Sequence, residues 1–193
     1  MILLALASVA LAVTPTSDEL VNKLQKRYSD PSGILAVLVE QDTTALGQGP
    51  AQNATLWYSP PGLLRVEYTT PTARTLCAQG DHFYLLQGDG RIEVKSQVLL
   101  LRAFGAMSNG DDIKKNYAGK VVESADGGVV ATWTLNPGST LKDYPTELQV
   151  TLDKDREATA FSVKGDSGAS ATVQVQKMDK GVPASDQRFN CAR

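Results

Sequence analysis

The chain has little of what most catalytic and metal sites are built from. Its 193 residues include one histidine, His82, and two cysteines, Cys77 and Cys191. A Ser-His-Asp or Cys-His arrangement would have to use His82, and a solvated turn position beside Asp81 is the simpler interpretation of that residue. Two cysteines and one histidine do not make a zinc ligand set. We therefore predict no metal, no cofactor and no enzymatic activity.

Phosphate-binding loops and a basic surface are missing as well. The glycines of Gly88-Asp89-Gly90 and Asp126-Gly127-Gly128 suit turns, because no glycine-rich segment leads from a strand into a helix N-terminus. The formal net charge is −2, which gives no basic footprint for nucleic acid or for an anionic membrane surface. We expect neither a nucleotide-binding nor a nucleic-acid-binding protein.

The N-terminal segment is apolar but short. Residues Met1–Ala12 end in Ala10-Leu11-Ala12, which is an A-x-A cleavage pattern, and the run is too short to span a bilayer as a helix. We predict a secretory signal peptide over residues 1–12 and a single domain over residues 13–193; a buried N-terminal strand or helix is the alternative. No cysteine follows the apolar run closely, so the mature protein is expected to be soluble and not lipidated at its own N-terminus.

Cys77 and Cys191 have two interpretations. In an oxidising compartment an even cysteine count favours one disulfide, which would tie the middle of the chain to its C-terminal tail. Alternatively, Cys77 is a buried strand residue and Cys191 is a free thiol.

The segment Thr55–Tyr84 predicts three or four antiparallel strands in succession. Within it, Leu63–Thr70 alternates, with Leu64, Val66 and Tyr68 on one face and Arg65 and Glu67 on the other. This period-2 pattern indicates a strand with one apolar and one wet face.

Elements on either side complete a mainly β chain. We predict a helix over Thr16–Ser29 capped by Ser17, a strand over Ile34–Glu40 buried on both faces, and a polar loop over Asp42–Gln52. An almost wholly apolar helix over Ser96–Met107 needs cover on more than one side, as a helix over a curved sheet would have; an ordinary core helix is the alternative. A short helix over Asp111–Asn116 follows. Five more strands are predicted at Lys120–Ser124, Gly128–Leu135, Thr146–Asp153, Ala158–Lys164 and Ala169–Lys177.

The strand count favours a curved antiparallel sheet. Ten to eleven strands with short turns suit a strongly curled sheet or partial barrel, because flat sheets of that width are unusual.

The order of these features resembles the periplasmic lipoprotein carrier family LolA. The similarity lies in Trp57, Pro61, Leu64-Arg65-Val66, Pro71 and Gly80, in that order and at similar spacing, and extends more loosely over nearly the whole mature chain. It implies an incomplete antiparallel β-barrel whose open side is closed by an α-helical lid. It also implies a soluble, monomeric periplasmic carrier that takes lipoproteins from an inner-membrane ABC transporter to an outer-membrane acceptor.

The resemblance also implies which residues meet the acyl chains. Leu64, Val66 and Tyr68 fall on the family's inward-facing strand and Leu76 on the next strand of the same cavity, while the helix Val98–Met107 falls on the lid and makes Leu100, Phe104 and Met107 candidate lining residues. This chain departs from the family at the turn arginine that latches sheet to lid, which aligns with Pro60, and at the strand tryptophan, which aligns with Val66. The alternatives are a binding module for a free lipid or other hydrophobic small molecule, and a sensor or interaction domain that binds a protein through the same sheet.

Overall fold

The fold is an open antiparallel sheet with helices packed against it. The computed structural model describes residues 14–29, 32–60, 63–79, 82–94, 110–139, 141, 144–183 and 188–191. Helix α1 is Ser17–Tyr28 and α2 is Gly110–Asn116. The strands are β1 Ile34–Thr44, β2 Gly47–Gln48, β3 Gln52–Ser59, β4 Leu63–Tyr68, β5 Arg74–Gln79, β6 His82–Gln87, β7 Gly90–Glu93, β8 Tyr117–Glu123, β9 Val129–Leu135, β10 Glu147–Leu152, β11 Ala158–Lys164 and β12 Ser170–Lys180.

All twelve described strands belong to one antiparallel sheet. Its order is β7-β6-β5-β4-β3-β1-β12-β11-β10-β9-β8, with β2 paired to the end of β1. Strands β7 and β8 form the two edges and are not paired with each other in the described part of the chain. The predicted class, a mainly β protein with a wide antiparallel sheet that does not close into a barrel, is confirmed.

The core lies on one face of this sheet, which we call the inner face. Strands β4 and β10 show the reason, since buried and half-buried residues alternate strictly along both. Leu20, Val21 and Leu24 of α1 and Ile113 of α2 join the same hydrophobic cluster as the inward side chains of the strands. The two helices therefore cover part of the inner face.

Helix α1 begins with a capping box one residue earlier than the predicted cap. The Thr16 hydroxyl accepts a hydrogen bond from the Glu19 amide at 3.3 Å, and the Glu19 carboxylate accepts one from the Thr16 amide at 2.9 Å. Ser17 is thus the first helical residue rather than the cap. The prediction was wrong here because Thr16, and not Ser17, has a glutamate at the third helical position.

Strand β1 differs from its prediction in length and in burial. It continues to Thr44, three residues into the segment predicted as a loop, and its residues alternate between buried and more exposed positions. Val37 is 41% exposed, so a strand buried on both faces is wrong. The apolar run has an outer face on which some side chains remain in contact with water.

Several predictions concern residues outside the described ranges. These are the signal peptide over residues 1–12, the apolar helix over Ser96–Met107 and the three lid residues Leu100, Phe104 and Met107. The short helix predicted at Asp111–Asn116 is present as α2.

Candidate functional site: the inner face of the open sheet

The predicted lining residues of β4 and β5 meet on the inner face. Leu64, Val66, Tyr68 and Leu76 are all buried and belong to the main hydrophobic cluster. The register places Val66 directly opposite Leu76 and Leu64 opposite Ala78, so the two strands present a continuous apolar surface. The alternation seen in the sequence therefore brings these four side chains to one side of the sheet.

Neighbouring strands extend this apolar surface in both directions. Towards the centre of the sheet, Leu56 lies opposite Val66 and Ala36 lies opposite Leu56; towards the β7 edge, Leu85 lies opposite Leu76. The half formed by β8 to β11 contributes further inward side chains to the same cluster, including Val129, Ala131, Trp133, Leu148, Val150, Leu152 and Val163.

Helix α1 is attached to the β8–β11 half of the sheet. Gly119 on β8 packs closely against Ser17 at the start of α1. Only glycine fits at this position, because a Cβ built on Gly119 would lie 2.3 Å from the Ser17 Cβ. At the other end of the helix, Arg27 donates to the Arg156 carbonyl oxygen at 2.9 Å and forms an ion pair with Glu157. The helix is thus fixed at both ends over these strands.

A polar cluster lies at one end of the apolar surface on β1, β3, β4 and β5. The Tyr68 hydroxyl donates to a carboxylate oxygen of Glu40, and both side chains are buried. The Arg74 guanidinium lies over the Tyr68 ring, 4.4 Å from its centroid. Gln52, directly opposite Glu40 in the register, donates through Nε2 to Asp42 Oδ2 at 3.0 Å. We call Glu40, Asp42, Gln52, Tyr68 and Arg74 the rim cluster.

Burial dominates the electrostatics of the rim cluster. Loss of hydration raises the pKa of Glu40 to about 7, and this effect outweighs the hydrogen bond from Tyr68, which favours the ionised carboxylate. Nearby Asp42 raises the pKa of Glu40 further, whereas Arg74 lowers it. Burial, together with the charge of Glu40, also raises the pKa of Tyr68.

The outer face of β3 to β5 is covered by the C-terminal tail. A disulfide joins Cys77 on β5 to Cys191, whose α carbons lie 5.7 Å apart although the two residues are separated by 114 positions in sequence. Phe189 is buried beside it. The Arg188 guanidinium lies 5.4 Å from the centroid of the Trp57 ring, and its carbonyl oxygen accepts a hydrogen bond from Arg65 at 3.3 Å. The tail therefore packs on the side of the sheet opposite the predicted lining.

His82 is the one histidine of the chain and was the candidate for catalytic chemistry. His82 is exposed on β6 and its Nδ1 lies 2.9 Å from a carboxylate oxygen of Glu93. Within the described ranges, no group of three or more histidine, cysteine, aspartate or glutamate side chains could hold a metal ion. No helix among the described residues is long and apolar enough to cross a membrane.

Sequence reasoning missed Glu40 as a site residue. It was assigned to the end of a wholly apolar strand, and its burial depends on Tyr68, which is 28 positions away in the chain. The available signal was a carboxylate in phase with Ala36 and Leu38, because residues two apart on a strand share a face.

Comparison with known proteins supports the fold. No protein-family model matches the chain, and no curated protein matches it either. Among solved structures, a domain from Vibrio parahaemolyticus named for outer membrane lipoprotein sorting aligns over 90% of this chain and 97% of its own, with 12% identity and a TM-score of 0.50. MucB aligns over 90% of this chain but 62% of its own, with 12% identity and a TM-score of 0.55. A LolA superfamily protein from Nitrosomonas europaea aligns over 92% of this chain and 97% of its own, with 9% identity and a TM-score of 0.49.

These identities are low enough that the similarity concerns the fold alone. The Vibrio domain and this chain match over nearly their full lengths, and the described sheet is open and antiparallel with helices on its inner face. The resemblance predicted from the sequence is confirmed at the level of architecture: the chain has a LolA-like fold.

Proposed function

We propose that the protein is a periplasmic carrier that shields the acyl chains of lipoproteins and moves them from the inner to the outer membrane. The observation that carries this proposal is the inner face itself, where Leu64, Val66 and Leu76 of adjacent strands form part of one wide apolar surface on an open sheet. The donor would be an inner-membrane ABC transporter and the recipient an outer-membrane acceptor, as the family resemblance implies.

The free-energy cost that such a carrier must offset is large. Each acyl CH₂ that leaves the bilayer for water costs about 0.8 kcal/mol. A lipoprotein with two or three fatty chains would therefore face a cost on the order of tens of kcal/mol. An apolar surface that accepts those chains removes most of that barrier, and a single curved sheet provides enough width for more than one chain.

Binding requires the inner face to become accessible. Leu64, Val66 and Leu76 are buried in the described structure, so an acyl chain reaches them only by displacing what covers them. The resemblance gives this role to the helix predicted over Ser96–Met107, with Leu100, Phe104 and Met107 in contact with the ligand. The outer face, closed by the disulfide-linked tail, remains unchanged in this process.

A lipoprotein-release experiment tests the proposal. Spheroplasts are incubated with the mature protein, and acylated proteins in the soluble fraction are detected. We expect the wild type to release lipoproteins in a stable complex and Leu64→Glu to release far fewer, because a carboxylate on the inner face would be desolvated by the acyl chains. The matched control is Leu63→Glu, which places the same group one residue away on the opposite face of β4.

Two results would contradict the proposal. The first is a folded wild type that releases no lipoprotein from spheroplasts that contain its cognate transporter. The second is a folded Leu64→Glu variant, verified by circular dichroism, that releases as much as the wild type. In either case, mass spectrometry of lipid extracted from the purified protein separates the free-lipid alternative from the protein-interaction alternative.

A further inference from the structure

The strongest unassigned feature is the buried carboxyl group of Glu40 in the rim cluster. Glu40 is 4% exposed and lies on the inner face, in phase with Leu38 and Ala36. Its register partners are Gln52 on β3 and Val173 on β12, neither of which carries a charge. A carboxyl group in these surroundings lies at the boundary between the apolar surface proposed to hold acyl chains and the polar end of the sheet.

The titratable and charged groups near Glu40 come from three strands. Asp42 follows it on β1, Tyr68 reaches it from β4 and Arg74 lies beside Tyr68 on β5. The Arg74 guanidinium stacks on the Tyr68 ring, whereas the Glu40 carboxyl is contacted by the uncharged Tyr68 phenol and by the Asp42 carboxyl. If Asp42 and Arg74 offset one another, ionisation of Glu40 leaves the cluster with one net negative charge.

Acyl chains on the inner face would make that ionised form less favourable. Hydrocarbon that replaces water near a carboxylate lowers the local dielectric, and a lower dielectric favours the protonated carboxyl. A ligand that favours the protonated form must bind more tightly when that form is populated, because proton binding and ligand binding are linked reciprocally. Where the acyl chains exclude water from the rim cluster, affinity is therefore highest at low pH and falls as Glu40 ionises.

We propose that Glu40, held by Tyr68 in the rim cluster, couples acyl-chain binding to proton uptake, so that the protein retains its ligand when Glu40 is protonated and releases it more readily when Glu40 is ionised. This inference rests on the proposed function, because it concerns the same inner face. It assigns Glu40 a regulatory position next to the lining residues rather than a direct role in binding the chains.

The working range of this coupling lies near neutral pH. The pKa of Glu40 in the protein without ligand is raised to about 7 by burial, and occupancy raises it further. If occupancy raises it by one unit, the dissociation constant at high pH exceeds that at low pH by about tenfold. The Tyr68 hydrogen bond, which stabilises the carboxylate, determines where on the pH scale the change occurs.

The test measures binding of a neutral ligand as a function of pH. The mature protein is titrated with a neutral fluorescent diacylglycerol between pH 5 and pH 9, since a ligand without an ionisable group contributes no titration of its own. We expect the dissociation constant of the wild type to rise by about tenfold across this range. Glu40→Gln should bind with a dissociation constant that changes by less than twofold, and Glu67→Gln, on the opposite face of β4, should follow the wild type.

A second variant changes the midpoint of the pH dependence, which would stay the same if Glu40 had only a structural role. Tyr68→Phe keeps the ring beneath Arg74 but removes the donor to Glu40, and should move the midpoint of the pH dependence to higher pH. A wild type that binds equally well at all pH values overturns the inference and leaves the proposed function intact. A folded Glu40→Gln variant with unchanged pH dependence overturns it as well. Failure of the folded wild type to bind the ligand at any pH overturns the inference and removes support for the proposed function.

Discussion

The raised pKa of Glu40 predicts an unusual pH dependence of stability even without a ligand. In the unfolded chain the carboxyl titrates near its ordinary value of 4.5, whereas in the folded protein it titrates at about 7. Between these values the folded state binds one more proton than the unfolded state, so the free energy of unfolding falls as the pH rises. Below 4.5 both states are protonated and above 7 both are ionised, and the contribution is then constant.

The loss of stability depends on the difference between the pKa of Glu40 in the unfolded chain and in the folded protein. Each pKa unit corresponds to 1.36 kcal/mol, so the shift from 4.5 to about 7 amounts to roughly 3 kcal/mol of stability lost at pH 8 relative to pH 4. Because Glu40 is buried, solvent screening reduces this little. Glu40→Gln carries an amide that does not titrate. The free energy of unfolding of this variant, taken relative to that of the wild type, should therefore be higher at pH 8 than at pH 4 by about this amount.

Urea denaturation of both proteins at a series of pH values measures the difference. Other titrating groups are common to the two proteins and cancel when their free energies of unfolding are subtracted. Glu67→Gln is the control, since Glu67 lies on the outer face and its side chain is 41% exposed. A difference between wild type and Glu40→Gln that stays constant from pH 4 to pH 8 would refute the raised pKa of the buried Glu40 carboxyl group.

Two further predictions concern the disulfide and the first helix. Replacing Cys77 and Cys191 together with alanine should lower the free energy of unfolding by about 5 kcal/mol, the chain-entropy value for a loop of 114 residues; a loss below about 1 kcal/mol in urea denaturation under oxidising conditions would contradict it. Thr16→Ala removes one half of the capping box and should cost about 1 kcal/mol, seen as a fall of about 2–4 °C in Tm, whereas Ser17→Ala should change Tm much less.

The period-2 pattern was the most informative part of the sequence. On β4 it identified the faces correctly, because Leu64, Val66 and Tyr68 all lie on the inner face and belong to the core. Strand β1 was harder, since an unbroken apolar run gives no alternation from which to assign faces. The structure resolves the ambiguity through pairing with β3 and β12, which places Val37 on the outer face and Leu38 on the inner one.

Long-range contacts account for what the sequence did not reveal. The role of Glu40 depends on Tyr68, and the packing of the tail involves Trp57, and both are distant from their partners in the chain. Local patterns carry no information about such pairs. The Cys77–Cys191 disulfide is the exception, because the even cysteine count already favoured it. The helix cap, by contrast, was a local feature: the sequence already contained Thr16 and Glu19 at capping-box spacing.

The position of β1 and β12 at the centre of the sheet has a consequence for how the molecule assembles. Most neighbouring strands on either side are also neighbours in sequence, so the hairpins of β3 to β7 and the meander of β8 to β12 each require only short loops to close. The pair that joins them brings Ile34 opposite Lys180, close to the two ends of the described chain. Closing so long a loop carries the largest entropic cost in the sheet. The central seam is therefore completed only when almost the whole polypeptide is present, and a chain that is still incomplete has two partial sheets but no finished inner surface.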